Sequence, residues 1–476
     1  MTQNQPLAWT TENLLKATRG KLLCGDLGHL FTGVSIDSRS IYAGDVFVAI
    51  IGEIHDGHAF LENIVDQGVR GLVVSRRKTG QLPLSKWGKS RVVCIAVENT
   101  TRALGDMAAF NRQRSQIRVV GITGSNGKTT TRRMATAVME RQYDVLTAAG
   151  NFNNEIGLPL TLLGLSAAHQ WALLELGTNQ PGEIARLADI CSPDIGVLTN
   201  IGPAHLEGLG SIDGVMKEKG DLIKKLGSNG TAILNADDPR VSQLASTTEA
   251  ELIFYGLTQK AAIKAEDIKD TGFSISFNLI LAGQSIAITL NCPGRFMVSN
   301  ALAAAAVGHQ IGLSIETIKA GLEGFEPVSG RMNVKRLAGD IHLIDDTYNA
   351  NPDSMKAAFS TLSKMSAGAR RAAVLGDMLE LGDRAQSLHR EVGAGVACAG
   401  VSRLYVCGEF AAEVIAGARR EGMRPADTCE GTHAEIVEDL KVWLHAGDWL
   451  LVKGSRGAAM EKVVEGLTAW AGEEMS

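Results

Sequence analysis

The chain has 476 residues, more than one hydrophobic core usually serves, so we expect two to four domains. The composition is that of a globular protein, and a net charge of −5 lacks the basic footprint that nucleic-acid binding requires. Seven scattered cysteines without a C-x-x-C pair argue against a zinc site and predict reduced thiols in a cytoplasmic protein.

Nothing in the sequence favours insertion into a membrane. The first six residues carry neither the basic nor the apolar region of a signal peptide. Two long stretches without formal charge, 156–174 and 297–315, are interrupted by His, Gln, Gly or Pro. We therefore expect them to be buried elements of the fold.

Residues 1–105 form the first expected unit, which precedes a glycine-rich loop. Its polar positions are Ser35, Asp37, Ser38, Arg39, Asp56 and His58. Their spacing dictates no particular chemistry, and on physical grounds alone they are typical of an exposed polar turn in a small domain.

The stretch around which the chain is organised is GITGSNGKTT at 121–130. An apolar strand-like run leads into it, and Lys128 and Thr129 are predicted to open a helix over 130–141. Glycines let backbone N–H groups converge on phosphate oxygens, while Lys128 reaches the outer phosphates and Thr129 offers a hydroxyl to Mg²⁺. The first glycine of the usual pattern falls one residue early, at Gly121, and the alternative interpretation is a glycine turn followed by a surface lysine. The strand-to-helix junction favours phosphate binding.

From 106 to 326 strand-like and helical runs alternate, which predicts an α/β domain with a parallel sheet. The runs 273–280 and 285–290 alternate in period two and predict an antiparallel hairpin appended to that sheet. Glu175 and His205 follow two different strands, as Thr129 follows the loop strand. Because parallel strands end at one edge, these groups are expected to converge on metal ions that bridge phosphates.

Residues 327–476 form a third expected unit with the same βαβ rhythm. Its polar loop at 345–355 follows a strand and precedes a helix, so it lies at a ligand-facing edge. Arg331 is placed to meet developing phosphoryl charge if this unit closes over ATP. Asp377, Lys453 and Arg456 follow later strands and are candidates for binding a second, anionic or zwitterionic substrate.

Several motifs together resemble the Mur ligase family of peptidoglycan synthesis over nearly the whole chain. They are GSNGKTT (124–130), NFNNEIGLP (151–159), ELGTN (175–179), NIGPAHLE (200–207), NADD (235–238), GR (330–331) and KGSR (453–456). DTYNANPDSM (346–355) and GDMLELG (376–382) are similar to the branch that adds D-alanyl-D-alanine. One departure is GRFM at 294–297, where family members often have Gly-Arg-His-Asn.

The resemblance implies a role for each matched residue. Lys219 matches a lysine that CO₂ converts into a carbamate, although by sequence alone it also fits a solvated helix face. ATP and its phosphates are implied to lie against Gly124, Ser125, Asn126, Gly127, Lys128, Thr129, Thr130, Asn300, Arg331, Asp346 and Asn349. Mg²⁺ is implied at Thr129, Glu175, His205 and Lys219. The UDP-linked tripeptide and the dipeptide are assigned to the first-unit residues above and to Asn154, Thr178, Asn179, Asp377, Lys453 and Arg456.

The implied activity is an ATP-dependent ligase that joins D-alanyl-D-alanine to UDP-N-acetylmuramoyl-tripeptide through an acyl phosphate. Lys128, Glu175, His205 and Lys219 are the catalytic candidates, and the partners are small molecules handled by a monomer. The alternatives are another ligase of the superfamily, similar to a folylpolyglutamate synthase, and a non-catalytic nucleotide-binding protein. The third residue of the tripeptide, L-lysine or meso-diaminopimelate, stays open.

Overall fold

The computed structural model describes residues 5–148, 150–365 and 368–473. They fold around three separate sheets of five, nine and six strands, with a further two-stranded pair near the start of the chain. The predicted α/β class with three domains is therefore confirmed.

The first unit is a small α/β layer whose sheet has the order β2-β7-β6-β5-β4, parallel except for β2. Helix α4 leaves this sheet and packs on α6 and α7 of the next unit. The expected boundary at 105/106 falls inside α4. The elements are β1 (Trp9–Thr10), α1 (Thr11–Thr18), β2 (Lys21–Cys24), β3 (Leu30–Phe31), β4 (Gly33–Ser35), β5 (Asp45–Val48), α2 (Leu61–Asp66), β6 (Gly71–Ser75), α3 (Leu84–Lys89), β7 (Val93–Val97) and α4 (Thr100–Arg114).

The central unit is built on the nine-stranded sheet, in the order β16-β15-β14-β13-β12-β11-β8-β10-β9. The elements are β8 (Arg118–Thr123), α5 (Lys128–Met139), β9 (Val145–Thr147), α6 (Gly157–Leu163), β10 (Trp171–Glu175), α7 (Glu183–Cys191), β11 (Ile195–Leu198), α8 (Leu206–Leu209), α9 (Ile212–Lys224), β12 (Thr231–Asn235), α10 (Pro239–Gln243), β13 (Glu251–Gly256), β14 (Ile263–Asp270), β15 (Ile275–Leu281), β16 (Gln284–Leu290), α11 (Arg295–Gln310) and α12 (Ile315–Glu323).

Strands β8 to β14 run parallel, and β15 and β16 form the predicted antiparallel hairpin at one edge. The first hairpin strand begins at Ile275, two residues later than predicted. Lys128 and Thr129 open α5, as the sequence predicted, directly after Gly127 turns the chain with a positive φ. The helix ends at Met139, two residues before the predicted end.

The third unit has a six-stranded sheet in the order β17-β18-β22-β19-β20-β21, antiparallel only at β17. Its last strand, β22, lies between β18 and β19. The elements are β17 (Asn333–Leu337), β18 (Ile341–Asp346), α13 (Pro352–Met365), β19 (Arg371–Gly376), α14 (Ala385–Cys398), β20 (Arg403–Cys407), α15 (Ala411–Arg420), β21 (Thr428–Glu430), α16 (His433–Trp443), β22 (Trp449–Lys453) and α17 (Glu461–Glu473).

The two charge-free stretches belong to the core. They contain α6, which packs on α4, and α11, whose residues from Ala301 to Val307 are all buried. Across the described ranges, no helix is both long and apolar enough to cross a bilayer.

Candidate functional site

The loop between β8 and α5 holds a conformation that requires glycine. Gly124 has a φ of 150° and Gly127 a φ of 80°, values that residues with a Cβ rarely adopt. A Cβ on Gly124 would lie 1.9 Å from the hydroxyl of Thr199, and one on Gly127 would lie 2.4 Å from Oδ1 of Asn300. The loop is therefore closed tightly between the end of β11 and helix α11.

Lys128 opens α5 and folds back over the loop, where its ammonium donates to the carbonyl oxygen of Gly124 at 2.8 Å. Burial lowers the pKa of Lys128, while the Glu175 carboxylate opposes that shift and Arg331 adds to it. Asn200 holds the other side of the loop by accepting from the backbone N–H of Asn126 at 2.8 Å. Contacts within the protein thus hold the loop and its lysine in place.

Glu175, at the end of β10, is buried beside the loop with only 4% of its surface exposed. The Thr129 hydroxyl donates to Oε2 at 2.8 Å and the Asn153 amide to Oε1 at 2.9 Å. Burial raises the pKa of Glu175, but Lys128 and Arg331 outweigh burial and leave that pKa lowered. The carboxylate is therefore ionised at neutral pH.

Arg132 forms an ion pair with Glu175 that the sequence analysis did not predict. Its Nε lies 3.6 Å from Oε2 of Glu175, and its terminal nitrogens donate to Thr147, Ala148 and Gly150. Only the helical periodicity of α5, which places Arg132 on its buried face, signals this role.

Lys219 on α9 is completely buried, whereas Lys217 two residues earlier is exposed. The solvated-face interpretation is therefore wrong for Lys219. Its Nζ makes no hydrogen bond within the described structure. Burial, aided by the Lys128 charge, puts the pKa of Lys219 well below its usual range. Both effects favour the neutral amine, which is the form with a free lone pair.

Glu218 fixes the rotation of α9 that buries Lys219. Its carboxylate accepts from the backbone N–H groups of Gly182 at 2.7 Å and Ile184 at 2.8 Å, at the start of α7. A carboxylate at a helix N-terminus is favoured by the orphan N–H groups and the helix dipole.

The third unit supplies a buried ion pair to the same region. Asp346 and Lys453 are register partners on β18 and β22, and the Lys453 ammonium donates to Oδ2 of Asp346 at 2.5 Å. It also donates to the carbonyl of Asn349 at 2.9 Å, while the N–H of Met332 reaches Oδ1 of Asp346 at 3.1 Å. Burial raises the pKa of Asp346, and Lys453 opposes that shift.

Polar contacts beside the cavity bridge the central and third units. Nδ1 of His205 contacts the carboxylate of Glu380, whose backbone carbonyl also accepts from the N–H of Glu207 at 3.0 Å. Burial lowers the pKa of His205, and Glu380 opposes that shift. The amides of Asn126 and Asn351 exchange hydrogen bonds of 2.8 and 3.4 Å. Sequence reasoning missed Glu380, although it lies within the quoted motif at 376–382. The structure therefore joins the glycine-rich loop directly to the third unit.

A cavity of about 530 Å³ between the two units is lined by most of the loop, by Glu175 and His205, and by the Asp346–Lys453 pair. Lys219 does not line it. The predicted residues that line it are Ser125, Asn126, Gly127, Lys128, Thr129, Thr130, Glu175, Thr178, Asn179, His205, Asn300, Arg331, Asp346, Asn349 and Lys453. Phe296 and Met297, from the segment that departs from the family pattern, also line it. A second cavity of about 190 Å³ adjoins it, shares His205, Tyr348, Asn349 and Asn351, and is lined by Arg456.

Other candidates line neither cavity and have local partners. Asp377 accepts from the N–H groups of Glu409 at 2.8 Å and Phe410 at 3.1 Å, just before α15. Asn154 accepts from the N–H of Gly157 at 2.9 Å, at the start of α6. The structure thus gives Asp377 and Asn154 a role in shaping loops.

In the first unit, Asp37 pairs with Arg39 at 2.8 Å on an exposed turn that also contains Ser35 and Ser38. His58 contacts Asp56 through Nδ1 at 2.6 Å and accepts from the N–H of Ser75 through Nε2. Both ring nitrogens of His58 are therefore occupied, and substrate binding by this unit stays a prediction.

Replacing Lys453 by methionine is expected to destabilise the third unit by about 3–5 kcal/mol, because it leaves Asp346 buried without its partner. Urea unfolding monitored by tryptophan fluorescence measures the loss. The matched control is Lys441→Met, which breaks a 2.7 Å pair with the exposed Glu438 and should cost less than about 1 kcal/mol. Equal midpoints for the two variants would contradict the prediction.

Family profiles match three consecutive parts of the chain. They are the Mur ligase family catalytic domain at residues 30–112, the Mur ligase middle domain at 122–308, and the Mur ligase glutamate ligase domain at 330–456. The chain belongs to the Mur ligase family, which confirms the resemblance seen in the sequence.

Two similar proteins carry the name of one branch of that family. The UDP-N-acetylmuramoyl-tripeptide–D-alanyl-D-alanine ligase of Escherichia coli K12 is 36% identical over 462 residues, covering 96% of this chain and 98% of the relative. The crystal structure of MurF from Acinetobacter baumannii matches with a TM-score of 0.88 at 30% identity, over 98% of this chain and 100% of that one.

MurF ligase from Thermotoga maritima, in complex with ADP, matches with a TM-score of 0.81 at 27% identity, over 93% of this chain and 98% of that one. A folylpolyglutamate synthase from Mycobacterium tuberculosis matches over 77% of this chain and 94% of that one, at 16% identity and a TM-score of 0.63. That last likeness shows a shared fold alone.

Proposed function

We propose that the chain catalyses the ATP-dependent addition of D-alanyl-D-alanine to UDP-N-acetylmuramoyl-tripeptide, in the cytoplasm and as a monomer. The observation that carries the proposal is the cavity in which the glycine-rich loop of the central unit meets Arg331 and the Asp346–Lys453 pair of the third unit. The relatives that match over nearly the full chain carry the name of this activity. All seven cysteines are free, which suits a reducing compartment.

The reaction proceeds by two displacements. The tripeptide carboxylate attacks the γ-phosphorus of ATP, which forms an acyl phosphate and releases ADP. The amine of D-alanyl-D-alanine then attacks the acyl carbon, phosphate leaves, and the amine loses a proton as the amide forms. Coupling to ATP is needed because joining a free carboxylate to an amine is uphill in water.

Phosphoryl transfer depends mainly on positioning and on neutralising charge. In our proposal Lys128 and the loop N–H groups hold the outer phosphates, and Arg331 faces them from the third unit. Asn300, Asp346 and Asn349 contact the remainder of the nucleotide. Closure of the third unit through the Asn126–Asn351 and His205–Glu380 contacts excludes water from the acyl phosphate.

The residues beside the loop suit Mg²⁺. The described residues contain no cluster of three or more His, Cys, Asp or Glu that would hold a metal unaided. Mg²⁺ usually takes one or two carboxylates together with phosphate oxygens and water, so Glu175 with the Thr129 hydroxyl is sufficient. We assign His205 and a carbamylated Lys219 to the same site. When bound, the ion neutralises phosphate charge.

The proposed substrate positions follow the cavities. Thr178, Asn179 and Lys453 line the larger cavity and are assigned to the tripeptide end and the dipeptide, while Arg456 is offered to the dipeptide from the smaller one. Asn154 and Asp377 are assigned to shaping the loops beside these substrates. The first unit is assigned to the UDP end.

A three-substrate assay tests the proposed function. The purified protein, with ATP and Mg²⁺, is given D-alanyl-D-alanine and UDP-N-acetylmuramoyl-tripeptide carrying either L-lysine or meso-diaminopimelate. We expect the UDP-linked pentapeptide by mass spectrometry, with one ADP and one phosphate per product and none when either substrate is omitted. Preference between the two tripeptides identifies the third residue. Phosphate release with a folate and glutamate, and none with these substrates, would overturn the proposal.

A further inference from the structure

Arg331 is held in the cavity in an uncommon way. Its guanidinium carbon lies 3.9 Å from the centre of the Tyr348 ring. Its Nε is buried without a hydrogen-bond partner, and the described residues offer its side chain neither an ion pair nor a hydrogen bond. Arg132 nearby is the opposite case, since its guanidinium donates to Thr147, Ala148 and Gly150.

An aromatic ring and a carboxylate hold a guanidinium with different consequences. A carboxylate would use two N–H donors and neutralise the charge, whereas a ring face attracts the cation and leaves all donors free. The Arg331 charge reaches across the cavity, because it helps to lower the pKa of both Lys128 and Glu175. Arg331 thus lines the same cavity as the glycine-rich loop and has side-chain donors without a partner among the described residues.

The backbone fixes Tyr348 in the position that this requires. The N–H of Tyr348 donates to the carbonyl of Gly330 at 2.9 Å, which ties the loop after β18 to the residue before Arg331. Gly330 has a φ of 73°, and a Cβ there would lie 3.3 Å from that same nitrogen. Tyr348 also lines both cavities, so its ring forms part of the wall between them.

We propose that Tyr348 is a positioning residue whose ring holds the Arg331 guanidinium so that its free N–H groups bind the outermost phosphate of ATP. The role belongs to the ring face and not to the hydroxyl. The proposal specifies how the protein holds the outermost phosphate of ATP, and it rests on the proposed function.

Nucleotide affinities test this role without the peptide substrates. Isothermal titration calorimetry compares ADP with a methylene-bridged ATP analogue, both with Mg²⁺, because only the analogue carries the outermost phosphate. In Tyr348→Leu the preference for the analogue over ADP is expected to fall about 5- to 30-fold, the range for a desolvated cation–π contact. Tyr348→Phe keeps the ring face and should keep the preference. An unchanged affinity for ADP shows that the nucleotide site is intact.

A double-mutant cycle separates positioning from a general structural effect. Arg331→Met should lose the preference by itself, and adding Tyr348→Leu should change it no further. The matched control is Trp443→Leu, which removes a second arginine–aromatic contact of the third unit, 4.2 Å from Arg370 and outside both cavities.

The outcomes are distinct. An undiminished preference in Tyr348→Leu, an equal loss in Tyr348→Phe, or fully additive losses in the cycle would each overturn the positioning role. If the unaltered protein binds neither nucleotide, the proposed function fails and the inference fails with it. If it binds both but without preferring the analogue, only the inference fails.

Discussion

Replacing Lys128 by alanine is expected to lower turnover at least about 100- to 1,000-fold, as loss of a single preorganised charge donor does in other enzymes. The ammonium of Lys128 lies against the loop, 2.8 Å from the carbonyl oxygen of Gly124. We expect the substitution to remove this charge and to leave the backbone of the loop in place. Phosphate release that depends on both peptide substrates is the measurement.

Arg133 provides the matched control for Lys128. It lies on the same helix, α5, but on the exposed face, so Arg133→Ala should stay within about twofold of the unaltered protein. Turnover near normal in Lys128→Ala would show that the loop does not serve phosphoryl transfer, whatever else it binds.

Replacing Lys219 by alanine is expected to reduce turnover about 10- to 100-fold while the protein stays folded. The amine of Lys219 is buried without a hydrogen-bond partner among the described residues, and burial lowers its pKa, which favours the neutral form that adds CO₂. The nitrogen bonds to the carbon of CO₂ and loses a proton, which leaves a carbamate anion near Lys128. The structure therefore supplies a chemical reason for burying a lysine that is otherwise costly to bury.

Small carboxylates test whether an anion is what Lys219→Ala lacks. Acetate or formate should restore part of the turnover, while chloride at equal ionic strength should not. The matched control is Lys217→Ala, on the exposed face of the same helix. Its turnover should stay normal, and acetate should not change it. A folded, inactive Lys219→Ala that acetate leaves unchanged would contradict the carbamate, and a fully active one would remove Lys219 from the site.

Much of the site was predictable because parallel strands end at one edge of a sheet. Thr129 and Glu175, which follow neighbouring strands, are joined by a 2.8 Å hydrogen bond, and the place of each after a strand-like run indicated that they would converge. The βα alternation likewise predicted the parallel sheets, and the period-two alternation of 273–280 and 285–290 predicted the appended hairpin. These features depend on local periodicity and on chain order, which a single sequence carries.

The unpredicted features depend on contacts between distant parts of the chain. Glu380 meets His205 across 175 residues of sequence, and Asp346 meets Lys453 across 107. No periodicity links such pairs, because the docking of the units and the order of strands decide them. The choice between Lys217 and Lys219 likewise required the rotation of α9, which Glu218 sets through the start of α7.

The place of β22 in the third sheet has a consequence for biosynthesis. This strand is the last in sequence but lies between β18 and β19, and it carries Lys453. A ribosome-bound chain that lacks it would have two half-sheets with unpaired inner edges and Asp346 without its cation. Such edges are prone to pair with other chains, so the third unit depends on late, non-local strand insertion. Newly made protein is therefore most exposed to aggregation just before residues 449–453 emerge.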